Sequence, residues 1–257
     1  MTFNVKIILT LGFLMTLANA EKLRLKRADV LESKKIGFET VKHLQGNVQF
    51  QKGDIKLTCQ KSVYKERKDI AFLFNQVKIF KDDLILECDS ITFYSKKNKL
   101  ESNGNPTIYD LDYKLVADSL IYFTELDSGI ALGNVELIQN DQKIKADRIE
   151  YVKNPGSEAI SYIAIGNVEI IDSLRTATCG LANYNDITEK TILDREPIIV
   201  DEQKTIVGEQ VVLQYDKKSL IRILIPKNAK REDHEEIREA FKVIVLATNY
   251  GMGMSSI

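Results

Sequence analysis

The chain has 257 residues, a formal net charge of −1 at pH 7 and 28% charged residues. It is long enough to bury a sizeable core as one large domain or two ordinary ones. The charge balance excludes a net field that would recruit nucleic acid or an anionic membrane. His43 and His234 are the only histidines and lie far apart in the sequence. Metal or acid–base chemistry based on histidine is therefore not expected.

Residues 1–20 have the pattern of a secretory signal peptide. Lys6 precedes an apolar run from Ile7 to Leu17, and Ala18-Asn19-Ala20 forms a small-residue cleavage site before Glu21. The apolar run is shorter than the roughly 20 residues that a membrane-spanning helix needs. No cysteine follows the site, which argues against a lipid-modified N-terminus. The sequence therefore predicts an exported protein whose signal is cleaved.

A repeat of about 29 residues follows a polar lead-in. Residues 21–43 form this lead-in, for which we expect one short strand. From Leu44 onward, six units align on the residue that follows Gly-Asn in the clearest copies, and a small residue recurs eleven positions later. The residue after Gly-Asn is, in chain order, Val48, Val77, Pro106, Val135, Val168 and Pro197. The small residue is Cys59, Cys88, Ala117, Ala146, Cys179 and Gly208.

The copy at residues 133–151 shows how each unit is expected to fold. Val135 and Leu137 alternate with polar residues, a polar turn follows, and Ile144 and Ala146 alternate again. A period of two indicates strands with one buried face and one wet face. Short polar turns within and between the copies indicate hairpins, and hence antiparallel pairing.

The apolar pattern changes parity just after the small residue of each unit. In the copy above, it passes from Ala146 to Ile149 and Tyr151. Such a change needs a bulge or corner, at which a strand bends from one wall onto another. The acids at this position are Asp89, Asp118, Asp147 and Glu209. We interpret them as hydrogen-bonding groups of the corner rather than as catalytic residues.

The repeat pattern stops at Pro226. Residues 227–240 are charged and helix-prone, and residues 233–247 could form an amphipathic helix that caps the last repeat. An apolar tail of a truncated longer chain is the open alternative. The predicted divisions are the signal peptide 1–20, the polar lead-in 21–43, the β-repeat domain 44–225 and the C-terminal helical or apolar tail 226–257.

No motif for catalysis or cofactor binding is visible. The sequence lacks a nucleophile elbow, a Gly-rich phosphate loop and a Cys/His cluster with metal spacing, so we expect no enzyme, cofactor or metal. Cys59, Cys88 and Cys179 occupy the small position and read as buried apolar side chains. In a parallel solenoid the first two would lie about 4.8 Å apart, close enough for a disulfide, whereas antiparallel hairpins place a strand between them. The tyrosines that end the second strand of most units are expected to reach water with their hydroxyls.

The unit Gly-Asn-Val … Leu-x-Ala-Asp-x-Leu-x-Tyr resembles the OstA-like family, the organic-solvent-tolerance or LptA proteins of lipopolysaccharide export. The matching segments are Gly46-Asn47-Val48, Gly133-Asn134-Val135, Gly166-Asn167-Val168, Leu115-x-Ala117-Asp118-x-Leu120-x-Tyr122 and Ile144-x-Ala146-Asp147-x-Ile149-x-Tyr151. The fifth and sixth copies depart, with Gly180 for Asp and Pro197 for Val. The resemblance covers residues 44–221. It implies an all-β fold, a semi-open antiparallel β-jellyroll or β-taco, in which two sheets face each other around an apolar interior.

The resemblance also implies a function in the periplasm. Such a protein binds lipopolysaccharide in an apolar groove and carries it from an inner-membrane transporter complex to an outer-membrane assembly barrel. Its partners are the lipid, other transport proteins that pair with its edge strands, and further copies stacked end to end. An acyl chain of a dozen carbons costs roughly 10 kcal/mol to expose to water, at about 0.8 kcal/mol per methylene, so it needs a continuous dry wall.

Inward positions of the repeats are the candidate lipid-binding residues. They are Val48, Phe50, Leu57, Ile79, Leu86, Ile91, Phe93, Ile108, Leu115, Leu120, Tyr122, Val135, Leu137, Ile144, Ile149, Tyr151, Val168 and Ile170. The same alternation is compatible with a closed core that binds nothing, and the pattern alone does not separate the two.

Other readings stay open at this point. One is a non-enzymatic structural or adhesive β-solenoid at the cell envelope. Another is a membrane-anchored periplasmic partner in the same export route, if residues 1–20 are retained. A third is the soluble N-terminal part of an outer-membrane assembly protein. A solenoid polysaccharide lyase, with Asp89, Asp118 and Asp147 as an acidic ladder, is the least favoured.

Overall fold

The computed structural model describes residues 21–111, 113–139, 141–153, 160–201, 204–216 and 219–225. These ranges contain nineteen β-strands, every pairing between them is antiparallel, and a single 3-10 turn lies at Ser95–Lys97. The predicted all-β, antiparallel jellyroll is confirmed. The parallel alternative is wrong. The predicted signal peptide and C-terminal helix lie outside the described residues.

The strands follow one another along the chain and pair mainly with their sequence neighbours. Their bounds are β1 Arg24–Arg27, β2 Val30–Ile36, β3 Glu39–Lys52, β4 Ile55–Lys65, β5 Ile70–Lys81, β6 Leu84–Tyr94, β7 Lys99–Asn103, β8 Thr107–Tyr109, β9 Tyr113–Val116, β10 Ser119–Phe123, β11 Ser128–Gln139, β12 Gln142–Lys153, β13 Ile160–Ile171, β14 Arg175–Asn185, β15 Lys190–Asp194, β16 Ile198–Asp201, β17 Lys204–Val207, β18 Gln210–Asp216 and β19 Ser219–Leu224. The result is one continuous sheet.

This sheet is folded into two walls because each long strand bends near its middle. In β3, the first arm pairs with β2 and the second arm pairs with β1. Wall 1 contains β2, the first arms of β3, β5, β11 and β13, the second arms of β4, β6, β12 and β14, and β7, β10, β15, β18 and β19. Wall 2 contains β1, the remaining arms, and β8, β9, β16 and β17. Pairs of short strands, such as β7 and β8, replace a long strand where the bend interrupts it.

The bends line up along one side of the molecule, which we call the corner. In β3 the register shifts between Gln45 and Val48, so that two residues oppose one residue of β4. The same shift occurs between Leu132 and Val135 in β11. The extra residue bends each bulged strand. The inward positions change parity on the opposing strand, from Ile144 and Ala146 to Ile149 and Tyr151 in β12. The corner that the parity change predicts is therefore confirmed.

The side opposite the corner, where the hairpin turns of both walls come together, is called the mouth below. Between the corner and the mouth, the inward side chains of both walls form one hydrophobic cluster. Phe50 of wall 2 and Tyr64 of wall 1 meet across it, with their ring centroids 5.5 Å apart. The interior runs through the repeats from Leu23 to Tyr215.

The lead-in differs from the sequence expectation. Residues 21–43 contain β1, β2 and the start of β3, rather than one short strand. Ala28-Asp29 occupies the corner between β1 and β2, as the small residue and the acid do in later units. The Asn47 side chain donates to Oδ2 of Asp29 at 2.8 Å. The lead-in thus supplies the first bent strand of the two walls.

Candidate functional site

The predicted inward residues all lie in the interior between the walls. Each is buried, and Tyr151, at 6% exposure, is the most exposed of them. All belong to the one hydrophobic cluster that connects the two walls. The structure therefore brings the candidate lipid-binding residues together, and their contact with a lipid stays a prediction.

The interior is filled by its own side chains in this structure. Phe50, Leu57 and Phe93 are each 0% exposed, although they lie on facing walls. Well-packed side chains leave no room for an acyl chain unless the walls move apart. Access to the interior therefore depends on what holds the walls together at the corner and at the mouth.

The corner is built from glycine, asparagine and aspartate on neighbouring strands. Gly133 and Asn134 both have positive φ, at 74° and 44°. The Asn134 side chain donates to Oδ2 of Asp118 at 2.9 Å, and a Cβ on Gly133 would overlap that carboxylate. Asn167 and Asp147 repeat the contact at 2.9 Å. The interpretation as corner hydrogen-bonding groups is confirmed for Asp118 and Asp147.

The departures of the fifth copy have a steric explanation at the same corner. Arg195 stands where four of the other five copies have glycine, with φ of 63°. It packs against Gly180, which stands where other copies have aspartate, and a Cβ on Gly180 would lie 2.8 Å from the Arg195 Cβ. The backbone bond between the two strands remains, with Gly180 N–H donating to the Arg195 carbonyl at 2.9 Å. The bulky and the small residue have exchanged strands.

Two lysines, the buried Lys52 and the largely buried Lys81, tie the walls together at the mouth. Lys52, at the end of β3 in wall 2, donates to the Ser95 carbonyl at 2.5 Å and to Oδ1 of Asn98 in wall 1. Lys81, one repeat later at the end of β5, donates to the Thr124 carbonyl at 2.6 Å and to Oδ1 of Asp127. Burial lowers the pKa of Lys52. We call these contacts the lysine ties.

The later repeats carry no lysine at this position. The equivalent residues are Asp110, Gln139, Asp172 and Asp201. Reasoning from the sequence missed the lysine ties. The available signal was the recurrence of lysine, with a period of 29 residues, at the last position of an alternating strand. At a strand end, a lysine can bury its apolar stem and keep its charged group at the edge of the interior. The mouth is therefore tied by lysines in its N-terminal half.

Tyrosine hydroxyls at the mouth bind carboxylates rather than water. Tyr64 donates to Asp69 at 2.6 Å, and Tyr122 donates to Asp127 at 2.7 Å. Burial raises the pKa of both hydroxyls, and the neighbouring carboxylates raise the pKa further. The expectation that these hydroxyls reach water is wrong for these two residues. Tyr151 is different, because its buried hydroxyl has no hydrogen-bond partner in the part of the chain that the structure describes.

The prediction of buried cysteines is confirmed for Cys59 and Cys179, whereas Cys88 is partly exposed. Cys59, Cys88 and Cys179 are free thiols, and an intervening strand, β5, separates the first two. Burial raises the pKa of each thiol to about 11, so the thiolate is scarce at neutral pH.

Neither a metal cluster nor a membrane-spanning helix occurs among the residues that the structure describes. Among them, no group of three His, Cys, Asp or Glu side chains is arranged to hold a metal ion. None of the helical segments that the structure describes is long and apolar enough to cross a membrane.

Comparison with known proteins supports the resemblance seen in the sequence. Residues 114–219 match the family described as the LptA/(LptD N-terminal domain) LPS transport protein. A search of curated proteins finds no match. Matching solved structures include LptH, described as the LptA homologous periplasmic component of the conserved lipopolysaccharide transport device from Pseudomonas aeruginosa. It is 13% identical, with a TM-score of 0.41 over 47% of this chain and 85% of that chain.

The family match agrees with the predicted resemblance to the OstA-like, LptA-type proteins over residues 114–219. The family is one of transport proteins and not of enzymes, as the sequence predicts. Strands before residue 114 repeat the same bends and the same inward alternation. The matched segment is therefore part of a longer run of equivalent units.

Proposed function

We propose that this protein is a periplasmic lipopolysaccharide-binding protein that carries lipid from an inner-membrane transporter complex to an outer-membrane assembly barrel. The lipid's acyl chains lie between the two walls, against the inward residues named above. This proposal requires no catalytic group, since transfer along an apolar path breaks no bond.

One observation carries the proposal: a single apolar interior extends through all the repeats. Its cluster includes Leu23 next to the first strand and Tyr215 in β18. An acyl chain of a dozen carbons gains roughly 10 kcal/mol when it leaves water, at about 0.8 kcal/mol per methylene. A continuous interior lets the chain move between units without exposing that area to water.

The walls are joined differently on their two sides. At the corner, the backbone of each bent strand passes from one wall to the other, as in β3 and β11. At the mouth, side-chain contacts such as the lysine ties hold the walls together. Separation of the walls at the mouth breaks no covalent link and few backbone hydrogen bonds. We infer that lipid enters through the mouth.

The sheet edges are the proposed contacts with partners. Within the described ranges, wall 1 ends in β2 and β19, and wall 2 ends in β1 and β17. On and beside β2, Leu31, Ile36 and Phe38 are exposed at 50%, 63% and 87%. Open edges that carry exposed apolar residues invite pairing with a further strand. Another transport protein, or a second copy of this chain, would extend both walls and the interior.

Site-specific photo-crosslinking in intact cells tests this proposal. A photoreactive residue is placed at inward Phe93 or Leu115, with outward Lys114 on the same strand as Leu115 for the control. Lipopolysaccharide adducts at the inward positions alone are the expected result. Folding and export of each variant are checked by its protease resistance and its release from the periplasm.

A second candidate is a non-enzymatic structural module of the cell envelope. The complete burial of Phe50, Leu57 and Phe93 favours it, because a filled interior stabilises a protein without any ligand. In the same experiment, a folded and exported chain without adducts at Phe93 and Leu115 would favour this function over lipid transport.

A further inference from the structure

A cavity of about 350 Å³ lies at the mouth in the central repeats, next to the second lysine tie. We call it the mouth pocket and define it by Tyr113, Tyr122, Tyr151, Asp110 and Asp127, which all line it. Its volume falls within the range of small-molecule sites, roughly 300–1,000 Å³. Three aromatic rings and two carboxylates thus surround one cavity.

Tyr151 supplies an unused hydrogen-bonding group to this pocket. Its hydroxyl is buried and has no partner among the described residues, whereas Tyr64 and Tyr122, its equivalents in other repeats, donate to aspartates. Its ring is held in place against Gly129, where a Cβ would lie 2.5 Å from the ring, and it stacks on Tyr122 at 6.5 Å between centroids. A buried polar atom without a partner is costly, so it marks a place where a ligand can supply the missing bond.

The charges around the pocket select the class of ligand. Asp82, Asp83 and Asp186 also line it, so its five aspartates exceed its two lysines, Lys81 and Lys153. An acidic rim disfavours phosphate and other anions. Carboxylates accept hydrogen bonds from hydroxyl or amino groups, and the flat faces of tyrosine rings suit the C–H face of a ring. A neutral or amino-bearing saccharide meets both conditions.

Protonation keeps the phenols able to donate and accept hydrogen bonds. Burial raises the pKa of Tyr113, and Asp110 adds to the effect through its charge and a hydrogen bond. Burial likewise raises the pKa of Tyr151, with smaller effects from Tyr113, Tyr122, Asp127 and Asp110. All three hydroxyls therefore stay neutral at physiological pH.

We propose that the mouth pocket binds a saccharide, whose hydroxyl group forms the missing hydrogen bond with Tyr151 while Asp110 and Asp127 accept further hydrogen bonds. This inference rests on the proposed function for the source of the saccharide. When the acyl chains of a lipopolysaccharide enter the interior, its sugar headgroup would lie at the mouth. A free saccharide offers the same chemistry.

Calorimetric titration of the purified chain, with two separate probes, tests the inference. The first probe is lipopolysaccharide oligosaccharide stripped of acyl chains and phosphates, and the second is dodecanoate. The variants are Tyr151→Phe and, as the matched control, Tyr64→Phe, which removes an equivalent hydroxyl remote from the pocket. Phe93 occupies the equivalent position in another repeat, so phenylalanine fits this place in the fold.

We expect the oligosaccharide to bind the wild type and Tyr64→Phe equally, and Tyr151→Phe about tenfold more weakly, as for one lost hydrogen bond. Dodecanoate binding should be the same in all three chains. Tyr151→Phe should unfold at the same temperature as the wild type or higher, because it removes an unpaired group, whereas Tyr64→Phe should unfold at a lower temperature.

The other outcomes separate the two proposals. If dodecanoate binds but the oligosaccharide does not, or binds Tyr151→Phe as tightly as the wild type, the saccharide site is wrong and lipid transport stands. Oligosaccharide binding without dodecanoate binding supports the site for a free saccharide and contradicts the lipid path. Binding that requires the phosphates restored to the oligosaccharide would overturn the neutral-saccharide inference.

Discussion

At the scale of single residues, the corner shows how one bend is encoded on two strands. Positive φ at Gly133 suits glycine, and the neighbouring Asp118 carboxylate fills the space where a side chain would lie. The Asn134 side chain then bonds that carboxylate. The pair Arg195 and Gly180 reverses the sizes, since the large residue stands on the strand that carries glycine in the fourth copy.

Gly133→Ala should destabilise the fold by about 2 kcal/mol or more, because it adds both left-handed strain and overlap with Asp118. Asp118→Gly in the same chain removes the overlap, so the double variant should be about 1 kcal/mol more stable than the sum of the single effects. Urea unfolding measures all three chains.

Gly37→Ala is the control for this cycle. Its φ is 61°, yet a Cβ there would meet nothing within 4 Å. It should therefore show the strain alone, about 1 kcal/mol. Equal losses for Gly37→Ala and Gly133→Ala, with additive effects in the double variant, would contradict the steric account of the corner.

The buried cysteines predict an alkaline loss of stability. The folded pKa of the Cys59 thiol is about 11, against an ordinary value of 9.0, so the folded chain holds the proton more tightly than the unfolded chain. The stabilising contribution is complete below pH 9 and is lost as the pH rises to 11. Relative to Cys59→Ala, the wild type should lose about 1 kcal/mol between pH 8 and pH 10.

Denaturant unfolding at a series of pH values measures this difference. Alanine is a matched replacement because Ala117 and Ala146 occupy the equivalent position in other repeats. Parallel pH profiles for the wild type and Cys59→Ala would contradict the buried-thiol account.

The sequence predicts these residue-scale features in part. The small position and its acid were visible because they recur every 29 residues. Their partners were not, since Asn134 and Asp118 are 16 residues apart and meet only after the strands pair. The hydroxyl of Tyr64 was assigned to water because the turn conformation that brings Asp69 back to it is not visible in the alternating pattern.

At the scale of elements, the edge strand β2 explains why the lead-in was misread. Every residue from Val30 to Ile36 is exposed. A strand without a buried face has no reason to alternate apolar and polar residues, so the period of two is absent. The small-acid pair Ala28-Asp29 was the signal that remained.

The lysine ties are the elements that hold the mouth closed. Lys81→Met removes the contacts with Thr124 and Asp127 at a side chain that is 11% exposed. We expect a loss of about 1–2 kcal/mol and faster hydrogen exchange in residues 124–127, since the bonds involve a charged and largely buried group. Thermal unfolding and hydrogen-exchange mass spectrometry measure the two effects.

Lys78→Met is the matched control, because Lys78 pairs with Glu87 on the outer face with side chains 48% and 39% exposed. An exposed pair of this kind contributes about 0.5 kcal/mol or less. If both variants lost the same stability and residues 124–127 exchanged at the wild-type rate, the lysine ties would have no part in closing the mouth.

At the scale of the whole molecule, the two-walled fold follows from alternation, repeat length and short turns. Inward residues such as Phe93 and Leu115 were identified from parity alone and are buried. A lipid groove and a packed core require the same alternation, so their difference is not encoded in the pattern. It depends on whether the contacts at the mouth can open, which is a property of the assembled walls.

The most direct measurement compares lipid binding with the mouth free and locked. In a chain with Cys59, Cys88 and Cys179 replaced by alanine, cysteines are placed at positions 81 and 127 and joined by a short bismaleimide. Cysteines at positions 78 and 87, a directly opposed pair on the outer face of wall 2, give the control link that leaves the mouth free.

Binding of purified lipopolysaccharide is then measured before and after linking. The account predicts that linking positions 81 and 127 abolishes or strongly weakens binding, whereas linking positions 78 and 87 leaves it unchanged. Undiminished binding by the chain locked across the mouth would contradict entry of lipid between the walls.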